Sequence, residues 1–188
     1  MSELATLKPE TTPEIEQKMA ALEERLSRLE KKGSKLTIVL FSGDFDLAMA
    51  AFIIANGALA MGKDVTMFVT FWGLDVLKKP VISSKGKNVL EKMVLMMRPK
   101  GPDRLGTSKM NFGGIGPKLF KFMMGKKHVE PLPSLVEMSM ELGLRVVACQ
   151  MSMDVMGIKI EDLIDNVEVG GVAAFLGESF NSNSTLFI

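Results

Sequence analysis

The amino-acid sequence predicts an α/β fold with a doubly wound, mostly parallel sheet of about five strands. Apolar runs at residues 36–41 and 64–71 are typical of buried strands, and an apolar helix pattern from about residue 45 to Gly62 separates them. A strand, a helix and a strand in this order form a right-handed parallel crossover. A third buried run, at residues 144–149, continues the alternation and predicts helices on both faces of the sheet.

The composition indicates one globular domain. A chain of 188 residues is long enough for one compact domain with a sizeable core. Hydrophobic residues make up 47% and charged residues 24%, which is the balance of a folded rather than a disordered chain. The 23 basic and 22 acidic residues leave a net charge of +1, so the chain as a whole has no field that would attract nucleic acid or an anionic membrane. No nucleic-acid partner is therefore expected.

The N-terminus, the single cysteine and the most apolar segment bear on localisation. MSELATLKPE lacks the basic and then apolar pattern of a secretion signal, and one cysteine allows no intramolecular disulfide. The apolar segment at residues 45–61 contains Asp46 and Asn56, and it is shorter than the roughly 20 mostly apolar residues of a membrane-spanning helix. A cytoplasmic protein without a membrane span is expected.

The N-terminal region divides into a tail and a helix. Residues 1–13 are polar, contain two prolines and predict a flexible tail. Residues 14–33 predict an amphipathic, coiled-coil-like helix whose apolar stripe is formed by Ile15, Met19, Leu22, Leu26 and Leu29. This stripe packs either on its own domain or on the same helix of another subunit, and the second arrangement, a homo-oligomer, is favoured. Residues 34–188 form the α/β domain.

The elements after the second strand are less regular. Residues 86–97 predict a helix, and a Gly/Pro-rich insertion around residues 98–130 is expected to be a lid or a docking surface. Its NFGGIGP segment does not match a phosphate-binding loop, because no Gly-Lys-Ser/Thr follows. Helices are predicted at residues 134–142, near residues 152–156 and within VGGVAAFLGESF, and TLFI predicts a closing strand.

Cys149 is the candidate for chemistry, because it lies where a predicted strand ends. Ligands of open parallel sheets bind beyond the carboxyl ends of the strands. A helix that begins just after Cys149 would favour its thiolate through free N–H groups and the helix dipole. The alternative is a small apolar core residue, since unpaired cysteines are often buried. The same strand ends supply possible pocket-rim residues, namely Ser42, Gly43, Asp44, Trp72, Gly73, Gln150 and Met151.

The other polar residues give weaker indications of a catalytic role. His128 could assist Cys149 as a base, although a histidine beside two lysines is more often solvated. Asp154 is expected to be a cap or first-turn acid of the helix that follows Cys149. No metal is expected, because one cysteine and one histidine cannot form the usual ligand set. No cofactor is expected either.

Several segments resemble the DsrE/DsrF-like family, in the subgroup often labelled peroxiredoxin-like. The most specific is LRVVACQMSMDVMGI, supported by SGDFD, FWGL, NFGGIGP and GGVAAFLGESFNSNSTLFI, and the resemblance runs from about residue 35 to residue 188. It implies a flavodoxin-like α/β fold, usually oligomeric. It also implies that Cys149 accepts sulfane sulfur as a persulfide and passes it to a TusA-like or rhodanese-like partner. The chain would then be a sulfurtransferase-like carrier, with a single cysteine that excludes a resolving-thiol mechanism.

Two other functions stay open on the sequence. The first is a non-catalytic interaction or scaffold subunit of a sulfur or redox complex, in which Cys149 is structural. The second is a binder of a small molecule or nucleotide at the sheet edge.

Overall fold

The computed structural model describes residues 13–32, 34–80, 93, 97–99 and 101–188. The chain divides into two units, one within the first 33 residues and one from Ser34 to Ile188. The predicted tail lies outside the described residues except for Pro13, and the helix predicted at residues 86–97 lies almost wholly outside them.

The first unit contains helix α1, Pro13–Lys32. Glu14 and Glu16 lie in its first turn, where acidic side chains interact favourably with the helix dipole. Ile15, Met19 and Leu22 follow one another along one face and are exposed. The predicted N-terminal amphipathic helix is confirmed, and its pairing with another subunit stays a prediction.

The second unit contains a sheet of five parallel strands, which confirms the predicted doubly wound, flavodoxin-like class. Their order across the sheet is β4-β3-β2-β1-β5. Every neighbouring pair is parallel. The strands are β1 Lys35–Leu40, β2 Asp64–Val69, β3 Arg145–Cys149, β4 Val167–Gly170 and β5 Ser184–Phe187.

Five α-helices of the second unit lie wholly within the described residues. They are α2 Phe45–Ala60, α3 Ile115–Lys126, α4 Leu132–Glu141, α5 Gln150–Met156 and α6 Val172–Phe180. Helix α2 is the predicted apolar crossover, and the chain leaves it through Gly62, whose φ of 72° suits glycine. In the part of the chain that the structure describes, no helix is both long and apolar enough to cross a membrane.

The pleat of the strands sends alternate side chains to opposite faces of the sheet. One face carries Ile38, Leu40 and Met67, which pack with α2 and α4 in the main core. The other face carries a smaller cluster formed by Val39, Phe68, Val147 and Cys149, packed against Phe175 of α6. Cys149 therefore projects from the face that α6 covers.

Two elements differ from the sequence-based expectation. Helix α3 occupies residues 115–126 of the segment expected to be a Gly/Pro-rich insertion. Gly113 and Gly114 have φ values of 65° and 93° and turn the chain into this helix, so the glycines that suggested a loop mark a helix start. Strand β4 was not identified individually, because four residues that include an exposed Glu168 leave no buried run to detect.

Candidate functional site

The carboxyl ends of β1 and β2 lie close together, and two glycines make this approach possible. The N–H of Gly73 donates to the carbonyl of Phe41 at 2.9 Å. A Cβ atom at Gly43 would lie 2.6 Å from the carbonyl oxygen of Trp72, and one at Gly73 would collide with that of Leu40. The structure therefore brings three predicted rim residues, Gly43, Trp72 and Gly73, together at this edge of the sheet.

Cys149 ends β3 at the same edge, and α5 begins at the next residue. The residue is buried, with 6% of its surface exposed. The parallel register pairs Val69 of β2 with Ala148 of β3. Thr70 consequently follows β2 beside Cys149, and the alternation of side chains puts both on the same face.

Polar groups of three residues lie near the sulfur of Cys149 and act to lower the pKa of its thiol. They are Ser152, through its hydroxyl and its backbone N–H, Thr70, through its hydroxyl, and Met151, through its backbone N–H. Burial acts to raise the pKa of the Cys149 thiol, but these polar groups together outweigh it and hold the pKa below its ordinary value. The site therefore favours an anionic sulfur.

The two hydroxyl groups also contact each other, since Thr70 Oγ1 and Ser152 Oγ are 2.8 Å apart. Each hydroxyl carries one proton and can rotate it. When the sulfur is a neutral thiol, one hydroxyl can donate to the other. When the sulfur is a thiolate, both protons can turn toward it. The pair can thus respond to the charge on Cys149 without moving the backbone.

The neighbouring strand β4 brings a glycine beside Cys149. Its register pairs Cys149 with Gly170. Gly171 and Val172, which follow Gly170 and begin α6, are both exposed. Met151, in the first turn of α5, is exposed as well. The space beside Gly170 is filled, since a Cβ atom at this position would lie 2.8 Å from Cγ1 of Val147 and 3.2 Å from Cβ of Ala174.

The remaining predicted rim residues make local contacts. Ser42 Oγ donates to Asp44 Oδ2 at 2.9 Å and accepts from the Asp44 N–H at 3.0 Å, which shapes the turn between β1 and α2. Asp44 is the N-cap residue of α2, but its side chain does not cap the helix. Gln150 Nε2 donates to Asp154 Oδ1 at 2.8 Å on the exposed surface of α5.

Trp72 is half-exposed and stacks with a cation that the sequence did not single out. The guanidinium carbon of Arg98 lies 4.8 Å from the centre of the Trp72 ring. Arg98 also donates from Nη2 and Nε to Asp75 Oδ2 at 2.8 and 3.1 Å. Asp75 Oδ1 in turn lies 2.5 Å from the ammonium nitrogen of Lys78. These three charged side chains are at most 8% exposed and anchor the segment that follows β2.

Two further expectations concern His128 and metals. His128 lies exposed beyond the end of α3, with a φ of 55°. Among the residues that the structure describes, no group of three or more His, Cys, Asp or Glu side chains could hold a metal ion.

Thr70 and Ser152 are the residues that sequence reasoning missed. Both have a signal in the sequence. Thr70 is the polar residue that ends a buried strand, in phase with Phe68 and therefore on the Cys149 face. Ser152 follows Cys149 by three residues, which is the spacing at which the N–H and hydroxyl of a first helical turn face back toward the N-cap residue.

Comparisons with known proteins identify the family of this chain. The family model described as the DsrE/DsrF/DrsH-like family matches residues 32–187. The uncharacterized protein YrkE of Bacillus subtilis strain 168 is 49% identical over 154 residues, which are 82% of this chain and 96% of that protein. The sulfur carrier protein DsrE2 of Allochromatium vinosum is 34% identical over 162 residues, 82% of this chain and 98% of that protein.

Among solved structures, the ychN protein from E. coli is similar with a TM-score of 0.49 and 14% identity, over 82% of this chain and 99% of that one. The family match spans the sheet, the Cys149 edge and the terminal strand. The chain therefore belongs to the DsrE/DsrF/DrsH-like family.

Proposed function

We propose that this protein is a sulfur carrier with sulfurtransferase activity, which holds sulfane sulfur on Cys149 as a persulfide and passes it to a partner thiol. The observation that carries the proposal is the position of Cys149 at the carboxyl end of β3 and directly before α5, where Ser152, Thr70 and Met151 lower the pKa of its thiol. The similarity to a protein named as a sulfur carrier, over nearly its whole length, supports the same function.

The polar groups near Cys149 can stabilise both forms of the carrier, the thiolate and the persulfide. In the first step, the Cys149 thiolate attacks the outer sulfur of a donor persulfide. The S–S bond of the donor breaks, a new S–S bond forms on Cys149, and the donor leaves as a thiolate that takes a proton from solvent. In the second step, an acceptor thiolate attacks the outer sulfur and releases the Cys149 thiolate. Each step conserves electrons, so neither an oxidant nor a reductant is consumed.

The N–H and hydroxyl groups around Cys149 favour catalysis because they stabilise negative charge on sulfur at the start and the end of the cycle. The pKa of the thiol, held below its ordinary value by these donors after burial is offset, increases the thiolate fraction at neutral pH. Because Cys149 is only 6% exposed, side chains around it move aside when a donor reaches its sulfur.

The partners follow from the chemistry of the exchange. Donor and acceptor both present a thiol or persulfide, as TusA-like and rhodanese-like proteins do, and a cytoplasmic location keeps these thiols reduced. A homo-oligomer formed through α1, whose apolar side chains Ile15, Met19 and Leu22 are exposed, is part of the same proposal.

Sulfur loading tests the proposal. The purified chain is incubated with thiosulfate, polysulfide or glutathione persulfide, and its intact mass is measured before and after reduction. We expect a gain of one sulfur atom that reductant removes and that Cys149→Ser abolishes completely. Ser179→Ala, which alters an exposed hydroxyl on α6, is the matched control and should load as the unmodified chain does.

The 6% exposure of Cys149 favours one second candidate, a scaffold subunit in which the thiol only packs. This candidate predicts no adduct with any donor and a thiol that resists iodoacetamide in the folded protein. The carrier predicts the opposite result in both measurements, so the two functions are separated by the same samples.

A further inference from the structure

Three phenylalanine rings lie in contact with one another at the carboxyl edge of the sheet. The centre of the Phe41 ring lies 5.4 Å from that of Phe71 and 5.9 Å from that of Phe187. Phe71 is half-buried, Phe41 is 37% exposed and Phe187 is 72% exposed. We call these three residues the aromatic shelf. Its rings pack on one another but stay open to solvent, unlike the rings of a core.

The register of the strands puts the aromatic shelf on the same face of the sheet as Cys149. Phe187 of β5 pairs with Val39 of β1, which packs in the cluster that contains Cys149. Phe41 follows Val39 by two residues and stacks with Phe187, so both rings project to this face. The strands β3, β2, β1 and β5 are consecutive neighbours. At about 4.8 Å from one strand to the next, the shelf extends roughly 15 Å sideways from the strand of Cys149.

Phe71 joins the shelf to the polar groups near Cys149. It directly follows Thr70, whose hydroxyl acts to lower the pKa of the thiol. The turn that it begins, Phe71–Asp75, packs against α5. Its φ of 46° is a left-handed conformation that bulky side chains rarely adopt. Strained conformations of this kind cluster at active and binding sites, so the strain points to a role for the ring beside the reactive edge.

The strand ends around Cys149 supply no basic side chain. The segments 41–44, 70–75, 149–154 and 170–172 contain three aspartates and no lysine or arginine. Arg98, which stacks on Trp72, is only 8% exposed and is paired with Asp75. An anionic sulfur donor such as thiosulfate is therefore not attracted by charge to these segments. Selective binding at this edge depends on apolar contact.

Chemistry and access select the occupant of the shelf. Sulfur exchange requires the sulfur atom of the partner to meet that of Cys149, so a partner covers the surface beside it. A second copy of the chain seated on the shelf would close this route. An extended peptide segment sends every second side chain to the same side, roughly 7 Å apart. Residues two positions from its cysteine would thus reach the rings that lie one and two strands away from Cys149.

We propose that the aromatic shelf selects partner segments in which an aromatic or large aliphatic residue lies two positions from the cysteine or persulfide. This inference rests on the sulfur exchange proposed for Cys149 and names the class of thiol that exchanges fastest. The apolar side chain of the partner packs on Phe41 and Phe71 while its sulfur meets that of Cys149. This contact holds the two sulfur atoms together and favours exchange over that with a freely diffusing thiol.

Mixed-disulfide formation tests the shelf without the need for a persulfide. Two acetylated and amidated peptides, Phe-Ser-Cys-Ser-Phe and Ser-Ser-Cys-Ser-Ser, are activated as 2-pyridyl disulfides. The Cys149 thiolate attacks the peptide sulfur, the activated S–S bond breaks, and 2-thiopyridone leaves and is measured by its absorbance. The two cysteines have the same immediate neighbours, so glutathione should react with both peptides at the same rate. We expect Cys149 to react about tenfold faster with the phenylalanine peptide.

A matched pair of variants identifies the shelf. Phe187→Ser and Phe41→Ser should each lower the preference at least about threefold and leave the rate with the serine peptide unchanged. Because Phe187 is exposed, its variant should fold normally. Phe180→Ser is the control, since Phe180 ends α6 and is 72% exposed, as Phe187 is. This control should keep the full preference.

The outcomes separate the shelf from the carrier. Equal rates with the two peptides, or equal losses in Phe187→Ser and Phe180→Ser, would overturn the shelf. So would a Phe187→Ser variant that keeps the preference but loses self-association in sedimentation velocity, since the rings would then join two copies. A chain that shows the preference but never loads with sulfur would retain the shelf and contradict the carrier. No reaction of the folded chain with either peptide, alongside reaction of the denatured chain, would overturn both.

Discussion

Replacing Asp75 by asparagine is expected to lower the free energy of unfolding by about 3–5 kcal/mol. Asp75 is buried between two cations, with Oδ1 2.5 Å from the Lys78 ammonium and Oδ2 2.8 Å from Arg98 Nη2. The substitution keeps the shape of the side chain but removes the negative charge that both cations share. Two buried positive charges would then face each other in a region with little access to water.

Denaturant titration, followed by circular dichroism, measures this loss. The matched control is Asp165→Asn, because Asp165 pairs with Lys79 at 3.0 Å but is exposed. An exposed ion pair contributes only about 0–1 kcal/mol, so the control should change stability little. Similar small losses for both variants would show that the Asp75 cluster does not stabilise the segment after β2.

The second large effect concerns the reactivity of Cys149. Ser152→Ala removes the hydroxyl donor to the sulfur while the Ser152 N–H donor stays in place. A hydrogen bond to a charged group is worth about 1.5–3 kcal/mol, and a more basic thiolate is intrinsically more nucleophilic, so the two effects partly offset. We expect alkylation by iodoacetamide near pH 7 to slow about three- to tenfold. Thr70→Val should act in the same direction, because it removes the other hydroxyl.

The pH profile gives the sign of the effect. Burial raises the pKa of Cys149, and the donors lower it further than burial raises it, so the thiolate forms at a lower pH than for an ordinary thiol. The alkylation rate of the unmodified chain should therefore rise with pH and level off earlier than that of free cysteine. The curve should move to higher pH in Ser152→Ala and stay in place in Ser179→Ala. An unshifted curve in Ser152→Ala would contradict the role assigned to its hydroxyl.

The sequence predicted the central strands because their side chains carry the burial signal themselves. β1, β2 and β3 are continuous apolar runs that only a sheet covered on both faces would bury. β4 carries no such signal, since Glu168 is exposed and pairs with Arg145 of β3. Its place in the sheet depends on backbone pairing with β3, which local composition does not encode.

The sequence predicted which strand ends and which cysteine form the candidate site. It did not predict that Thr70 and Ser152 lie near the sulfur of Cys149. Gly43 and Gly73 could be placed at the edge, whereas their close approach to Trp72 and Leu40 depends on the packing of two strands distant in sequence. Thr70 meets Cys149 only through the β2–β3 register. The alternation of side chains along a strand shows which face of the sheet each residue occupies. Which residues of two strands touch depends on the register between the strands, and only the assembled sheet defines that register.

The most direct test of the carrier role follows one sulfur atom through a complete cycle. The chain is loaded with sulfane sulfur labelled with ³⁵S, freed of donor, and mixed with an excess of acceptor thiol, while the label on each species is counted. A carrier predicts one labelled sulfur for each Cys149, its stoichiometric appearance on the acceptor, and a recovered thiol that loads again. Label that never enters the chain, or that enters and cannot be passed to any thiol, would contradict the proposal that Cys149 carries sulfur.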